Sequence, residues 1–157
     1  MIVALASDHA GLKIKNSIID FIKTQKIDII DCGCYDDNPI DYVDKGLLAT
    51  NLLIENKCHF AILICGTGIG MSIIANKVNG IRAALCHTKE LARLSREHND
   101  ANVLALAGRF LSESTANEIV STFLHTEFSN DLRHMVRIQK IHKYENREVI
   151  NEESEKL

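Results

Sequence analysis

Four groups of residues in this sequence are of types that move protons or hold anions. Cys65 stands directly before alternating glycines in Cys65-Gly66-Thr67-Gly68-Ile69-Gly70. A thiolate can act as a general base or a nucleophile, and a thiol near the amino end of a helix ionises more readily than a free one. Glycine-rich backbone turns tightly and aims unpaired N–H groups at a ligand, which makes an anion site or a cradle for an oxyanion. Asp8 and His9 follow an apolar run, Ile2 to Ala6, and His98, Asn99 and Asp100 interrupt the chain before another, Val103 to Ala107. Arg133 and Arg137 lie four apart. Like charges at that spacing destabilise a helix unless an anion lies between them, so a phosphate held by both would account for the pattern.

Counting separates the readings of the glycine turn. A Walker phosphate loop needs a lysine after its last glycine, and Met71 stands there. The dinucleotide fingerprint would need glycine at the same place, and a cysteine phosphatase loop would need arginine. Each group also has a plainer reading. The glycines can serve sterics alone, Asp8 can be a helix N-cap, His98 can belong to a solvated loop, and Arg133 and Arg137 can belong to a basic face that continues through Lys140 and Lys143.

The elements that must position these groups follow from the apolar pattern. Phe60 to Ile64 is an unbroken apolar run suited to a strand buried on both faces, and Met71, Ile74, Ala75 and Val78 then recur at helical spacing. Earlier, Ile2 to Ala6 and Ile27 to Asp31 read as strands, with a helix between them carrying Leu12, Ile14, Ile18, Ile19 and Ile22. Cys32 to Asp41, with Pro39, reads as a loop and Tyr42 to Asn56 as a helix with Leu47, Leu48 and Leu52 inward. Later, Ile81 to Cys86 and Val103 to Ala107 are strands, and Thr88 to Glu97, Ser112 to Leu124 and Asp131 to Glu148 are helices, the first two opened by hydroxyl caps. This alternation predicts an α/β fold, a doubly wound sheet of about five parallel strands with right-handed crossovers and a C-terminal helix. Asp8, Cys65, Gly66 to Gly70 and the loop after the fifth strand then share the carboxyl edge of the sheet, where such folds bind ligands.

At 157 residues, 46% apolar and 25% charged, the chain suits one domain, taken here as residues 1–150, with an acidic tail over 151–157 that is expected to fray. A net charge of -3 argues against a general nucleic-acid binder. Five cysteines, odd in number and without CxxC spacing, suit reduced thiols in a cytoplasm. The chain opens on a strand without a basic leader, and no apolar run approaches the ~18 residues of a membrane span, so neither export nor membrane insertion is expected.

Taken together, Ser7-Asp8-His9-Ala10-Gly11, Cys65 to Gly70, Asn76-Lys77, His98-Asn99-Asp100 and Arg133-His134 closely resemble the ribose-5-phosphate isomerase B family, which includes the galactose-6-phosphate isomerase subunits. The resemblance runs to about Glu148. It implies a Rossmann-like fold, homodimers or dimers of dimers, and interconversion of ribose 5-phosphate and ribulose 5-phosphate in the pentose phosphate pathway, without metal or organic cofactor. By position, Cys65 resembles the base that moves a proton between C1 and C2, with Thr67 assisting, and His98 the group that opens the furanose ring, with Asp8 helping at the hydroxyls. Asn99 and the amides of Gly66, Thr67, Gly68, Ile69 and Gly70 correspond to the cradle of the enediolate oxygen. His9, Arg109, Arg133 and Arg137 correspond to the phosphate site. In the family some of these groups come from the neighbouring subunit.

Two positions depart from the family pattern. Met71 replaces the glutamate base of one branch, which points to the cysteine branch, and Val43 follows Asp41-Tyr42 where proline is usual. The competing reading is a sugar-phosphate or nucleotide-binding module without catalysis, since fold alone does not fix function. A free thiol at Cys65 beside His98 favours catalysis, because a pure binder needs neither.

Overall fold

The computed structural model describes residues 1–148, and the acidic tail expected over 151–157 lies outside them. Five strands, β1 (Ile2–Ser7), β2 (Asp28–Asp31), β3 (Phe60–Cys65), β4 (Ala83–Leu85) and β5 (Val103–Ala107), form one parallel sheet in the order β2-β1-β3-β5-β4. Six helices accompany them: α1 (Leu12–Thr24), α2 (Tyr42–Ile54), α3 (Ile69–Ala75), α4 (Lys89–Asn99), α5 (Glu113–His125) and α6 (Leu132–Glu145).

Successive strand residues point to opposite faces, and the central strands are apolar at both, so each face builds its own core. Val3, Leu5, Ile62, Ile64, Leu104 and Leu106 pack under α1, α4 and α5, while Ala4, Ala6, Ala61, Leu63, Val103 and Ala105 pack under α2 and α3. Small residues prevail on the second face and let its helices come close. A Cβ on Gly46 of α2 would lie 3.1 Å from both Met71 Sδ and Ile74 Cγ2 of α3. The chain leaves β1 for α1 on one face and β3 for α3 on the other, so the crevice beyond the carboxyl ends of these adjacent strands is the topological switch point of the sheet.

Several expectations are corrected. Leu48 points outward, 47% exposed, and α2 buries Gly46, Ala49 and Thr50 instead, because the seam against α3 has no room for leucines. Strand β4 is only three residues long. As an edge strand it pairs with β5 alone, and on its free side the Asn76 side-chain amide takes the place of a neighbour, donating to Ala83 O and accepting from Ala83 N at 2.9 Å each. The same asparagine caps α3, which therefore stops short of Val78. His98 and Asn99 do not interrupt the chain. They form the last turn of α4, and Asp100 ends it in the left-handed conformation at φ 45°.

Candidate active site

The switch point brings together Asp8, His9, Cys65, Gly66, Thr67, Ile69, Gly70 and Arg109 around an open cavity of about 450 Å³. Asp8 directly follows β1 and is indeed a cap: its Oδ1 accepts from Gly11 N at 2.9 Å, opening a short 3₁₀ turn over His9–Gly11. That bond uses one carboxylate oxygen and aims the side chain at the cavity. His9 is half-buried, with Nδ1 3.5 Å from Ile40 N of the following loop. Cys65 ends β3, with its carbonyl fixed by Gly108 N at 2.8 Å, and Gly66 O accepts from Arg109 N at 3.1 Å. Those two bonds bind the loop after β5 to the glycine turn and bring Arg109 over the cavity.

The turn needs glycine at two places for different reasons. Gly68 has φ +74° and a Cβ there would meet Leu85 Cδ1 at 2.6 Å, while a Cβ on Gly70 would enter the Tyr42 ring at 2.5 Å. Ile69 N is bound to Thr67 Oγ1 at 3.3 Å, but among the described residues the amides of Gly66, Thr67, Gly68 and Gly70 find no acceptor. They are free to hold an anionic oxygen. Met71 is fully buried in the core under α2 and α3 and takes no part in the cavity. Tyr42, expected as the first residue of a helix and not among the expected site residues, closes one wall of the cavity beside Gly70. An aromatic residue directly after the capping Asp41, whose Oδ1 accepts from Val43 N at 2.8 Å, was the available signal.

The remaining expected groups are elsewhere. Helix α4 runs against the strand direction and carries His98 and Asn99 to the amino edge of the sheet, so the expectation that His98 lies beside Cys65 does not hold within one chain. The six residues of β3 alone separate the two edges by about 17 Å, at about 3.3 Å per residue. The end of α4 is tightly held. Asp100 accepts from Arg82 Nη2 at 3.0 Å and Arg96 Nη1 at 2.7 Å, and Arg96 also donates to Ala101 O and lies over the rings of Phe60 and Phe123 at 4.8 and 5.7 Å. A charge as buried as that of Arg96 requires such partners. Helix α6 lies beside this end of α4, and its His134 ring stacks on His98 with centroids 4.3 Å apart and planes 13° from parallel. Arg133 and Arg137 stand exposed on the same helix, Arg133 with Asp131 Oδ2 at 3.7 Å.

One chain therefore carries two separate groupings, a thiol beside unpaired backbone amides at one edge and a stacked imidazole pair with two exposed arginines at the other. Two of the other cysteines hold little thiolate near neutrality, since burial pushes the Cys32 and Cys86 thiols up to about 11.

Comparison with known proteins supplies the context. A family model described as Ribose/Galactose Isomerase matches residues 3–141. A ribose-5-phosphate isomerase B of Clostridium thermocellum superposes with a TM-score of 0.91 at 44% identity, covering 94% of this chain and 99% of the other. The enzyme of the same name from Mycoplasma genitalium, solved with bound ribulose-5-phosphate, gives 0.88 at 41% identity, with 92% and 96% covered. A D-erythrulose-4-phosphate isomerase of Pectobacterium atrosepticum is 38% identical over 149 residues, 93% of this chain and 96% of that one.

Proposed function

Since this chain belongs to the ribose/galactose isomerase family and is an isomerase of sugar phosphates, we propose that its substrates are D-ribose 5-phosphate and D-ribulose 5-phosphate, interconverted through an enediolate. The observation that carries this reading is the position of Cys65 at the switch point beside amides that have no other acceptor. The Cys65 thiolate takes the proton from C2 of the open-chain aldose, and the carbonyl electrons move onto O1. The free amides of the Gly66 to Gly70 turn stabilise that oxygen, an effect that commonly outweighs any other in such reactions. Thr67 and Asp8 hold the chain hydroxyls while the hydroxyl proton passes between O2 and O1, and the Cys65 thiol returns its proton to C1.

The half-site at the amino edge is supplied by a second copy of the chain. Its His98 opens the furanose ring, its Asn99 joins the cradle, and its Arg133 and Arg137 meet His9 and Arg109 around the phosphate. A homodimer, or a dimer of such dimers, is the assembly this requires, because a closed two-fold pairing completes both sites at once. A cytoplasmic place in the non-oxidative pentose phosphate pathway follows from the substrate. No helix among the described residues is long and apolar enough to cross a membrane.

The test is to incubate purified protein with ribose 5-phosphate in deuterium oxide. Formation of ribulose 5-phosphate carrying deuterium at C1 is expected; turnover confined to tetrose or hexose phosphates would reject the pentose assignment.

A further inference from the structure

The imidazole of His134 is among the few polar side chains in the core, 4% exposed, and its Nε2 has no hydrogen-bond partner among the described residues. The nearest carboxylate oxygen, Asp131 Oδ2, is 3.8 Å away, beyond hydrogen-bond distance. An unsatisfied buried donor or acceptor costs about 1–3 kcal/mol, so the ring is not there for stability alone. Its flat face lies against His98, half-buried at the end of α4. That end is already clamped by Asp100, and the loop before α6 is tied to it by Ser129 N donating to Glu97 O at 3.1 Å. Backbone and ring are therefore fixed by separate devices.

We propose that His134 is a positioning residue for His98, its stacked ring holding the His98 imidazole in the one plane from which it can pass a proton at the furanose ring. This rests on the reading of His98 as the ring-opening group. Burial lowers the His134 pKa, and the charge of His98, Arg133 and Arg137 lowers it further against the opposing pull of Asp131. From α4 the remaining charged neighbour, Glu97, is engaged by Arg93. These effects favour the neutral form of the His134 ring, and a neutral aromatic face tolerates a neighbouring ring in either charge state.

Two reactions separate this role from a structural one. Conversion of ring-closed ribose 5-phosphate needs ring opening, whereas exchange of the C1 proton of ribulose 5-phosphate with deuterium oxide does not. His134→Ala is expected to lower kcat of the first about tenfold to a hundredfold, as misplacement of a reacting group does, with KM and the exchange reaction close to wild type. His134→Phe, which restores the flat face without a titrating nitrogen, should recover most of the loss. Independently, the His98 ring protons should show an upfield ring-current displacement in the wild type that disappears in His134→Ala, whatever the fate of the phenylalanine variant. Parallel loss of both reactions, no recovery by a folded His134→Phe, or unchanged His98 resonances would each overturn the proposal. His98→Asn distinguishes the two levels: if it retains ring-closed turnover, the reading of His98 fails and the proposal with it. If it loses that turnover while His134→Ala does not, the proposal alone falls.

Discussion

Cys65 and His98 lie at opposite edges of the same sheet. Cys65 pairs in register with Ala107 at the carboxyl ends of β3 and β5, and His98 lies in the last turn of α4 before β5 begins. If the thiol and the imidazole act on one sugar, as the proposed function has it, they come from different copies of the chain.

Replacing Cys65 by alanine should abolish both isomerisation and C1 proton exchange while leaving sugar-phosphate binding nearly intact, since the amides of the turn remain. Cys65→Ser should be nearly as inactive, because a hydroxyl is a far weaker base at neutral pH. Turnover assays and calorimetry on the same preparations check this, and substantial residual turnover in Cys65→Ala removes the thiol from the mechanism.

The glycine turn should be intolerant of side chains. At Gly68 an alanine meets both a left-handed backbone, about 1–2 kcal/mol, and overpacking against Leu85, about 1–3 kcal/mol, so a clearly lowered Tm is expected. Gly70→Ala displaces Tyr42 instead and should reduce activity more than stability. Thermal melts beside kinetics distinguish the two variants.

Arg133→Ala and Arg137→Ala should each raise KM about tenfold to a hundredfold, the value of one charged hydrogen bond of about 1.5–3 kcal/mol. Lysine at either position recovers charge but not the bidentate geometry. Both arginines are exposed, so the fold should survive. Phosphate titration by calorimetry that finds both single variants and the double variant equal to wild type would reduce them to a solvated basic face.

Alkylation should sort the thiols. With Cys32 and Cys86 pushed up to about 11 by burial, little thiolate is present there at pH 7 to 8, whereas Cys65 lines the cavity. Brief treatment with iodoacetamide followed by peptide mapping should find Cys65 modified first, and sugar phosphate should protect it. Modification of Cys32 or Cys86 ahead of Cys65 would contradict this.

Much of this was legible in the sequence because the signals were local. The runs Phe60 to Ile64 and Val103 to Ala107 are buried strands, Thr88 and Ser112 do accept from Leu91 N and Thr115 N, and Asp8 and Cys65 stand at the carboxyl ends of adjacent strands as expected. What failed depended on partners distant in sequence. Leu48 faces outward because Met71 and Ile74 fill the space across from Gly46, and the free edge of the short β4 is met by the distant Asn76 side chain. His98 was misread because the polar end of a helix looks like a loop. A topological rule was available, since a residue just before a parallel strand stands at its amino edge, opposite one that ends its neighbour.

The most direct test of the divided site is complementation between Cys65→Ala and His98→Asn, each expected to be inactive alone. In a mixed dimer one site combines both lesions and the other combines neither, so random subunit exchange should restore about a quarter of wild-type activity, half the dimers being mixed with one of two sites intact. Recovery near that level, rising with the mixed fraction measured by native mass spectrometry, is the predicted result; mixed dimers that form and remain inactive would contradict it.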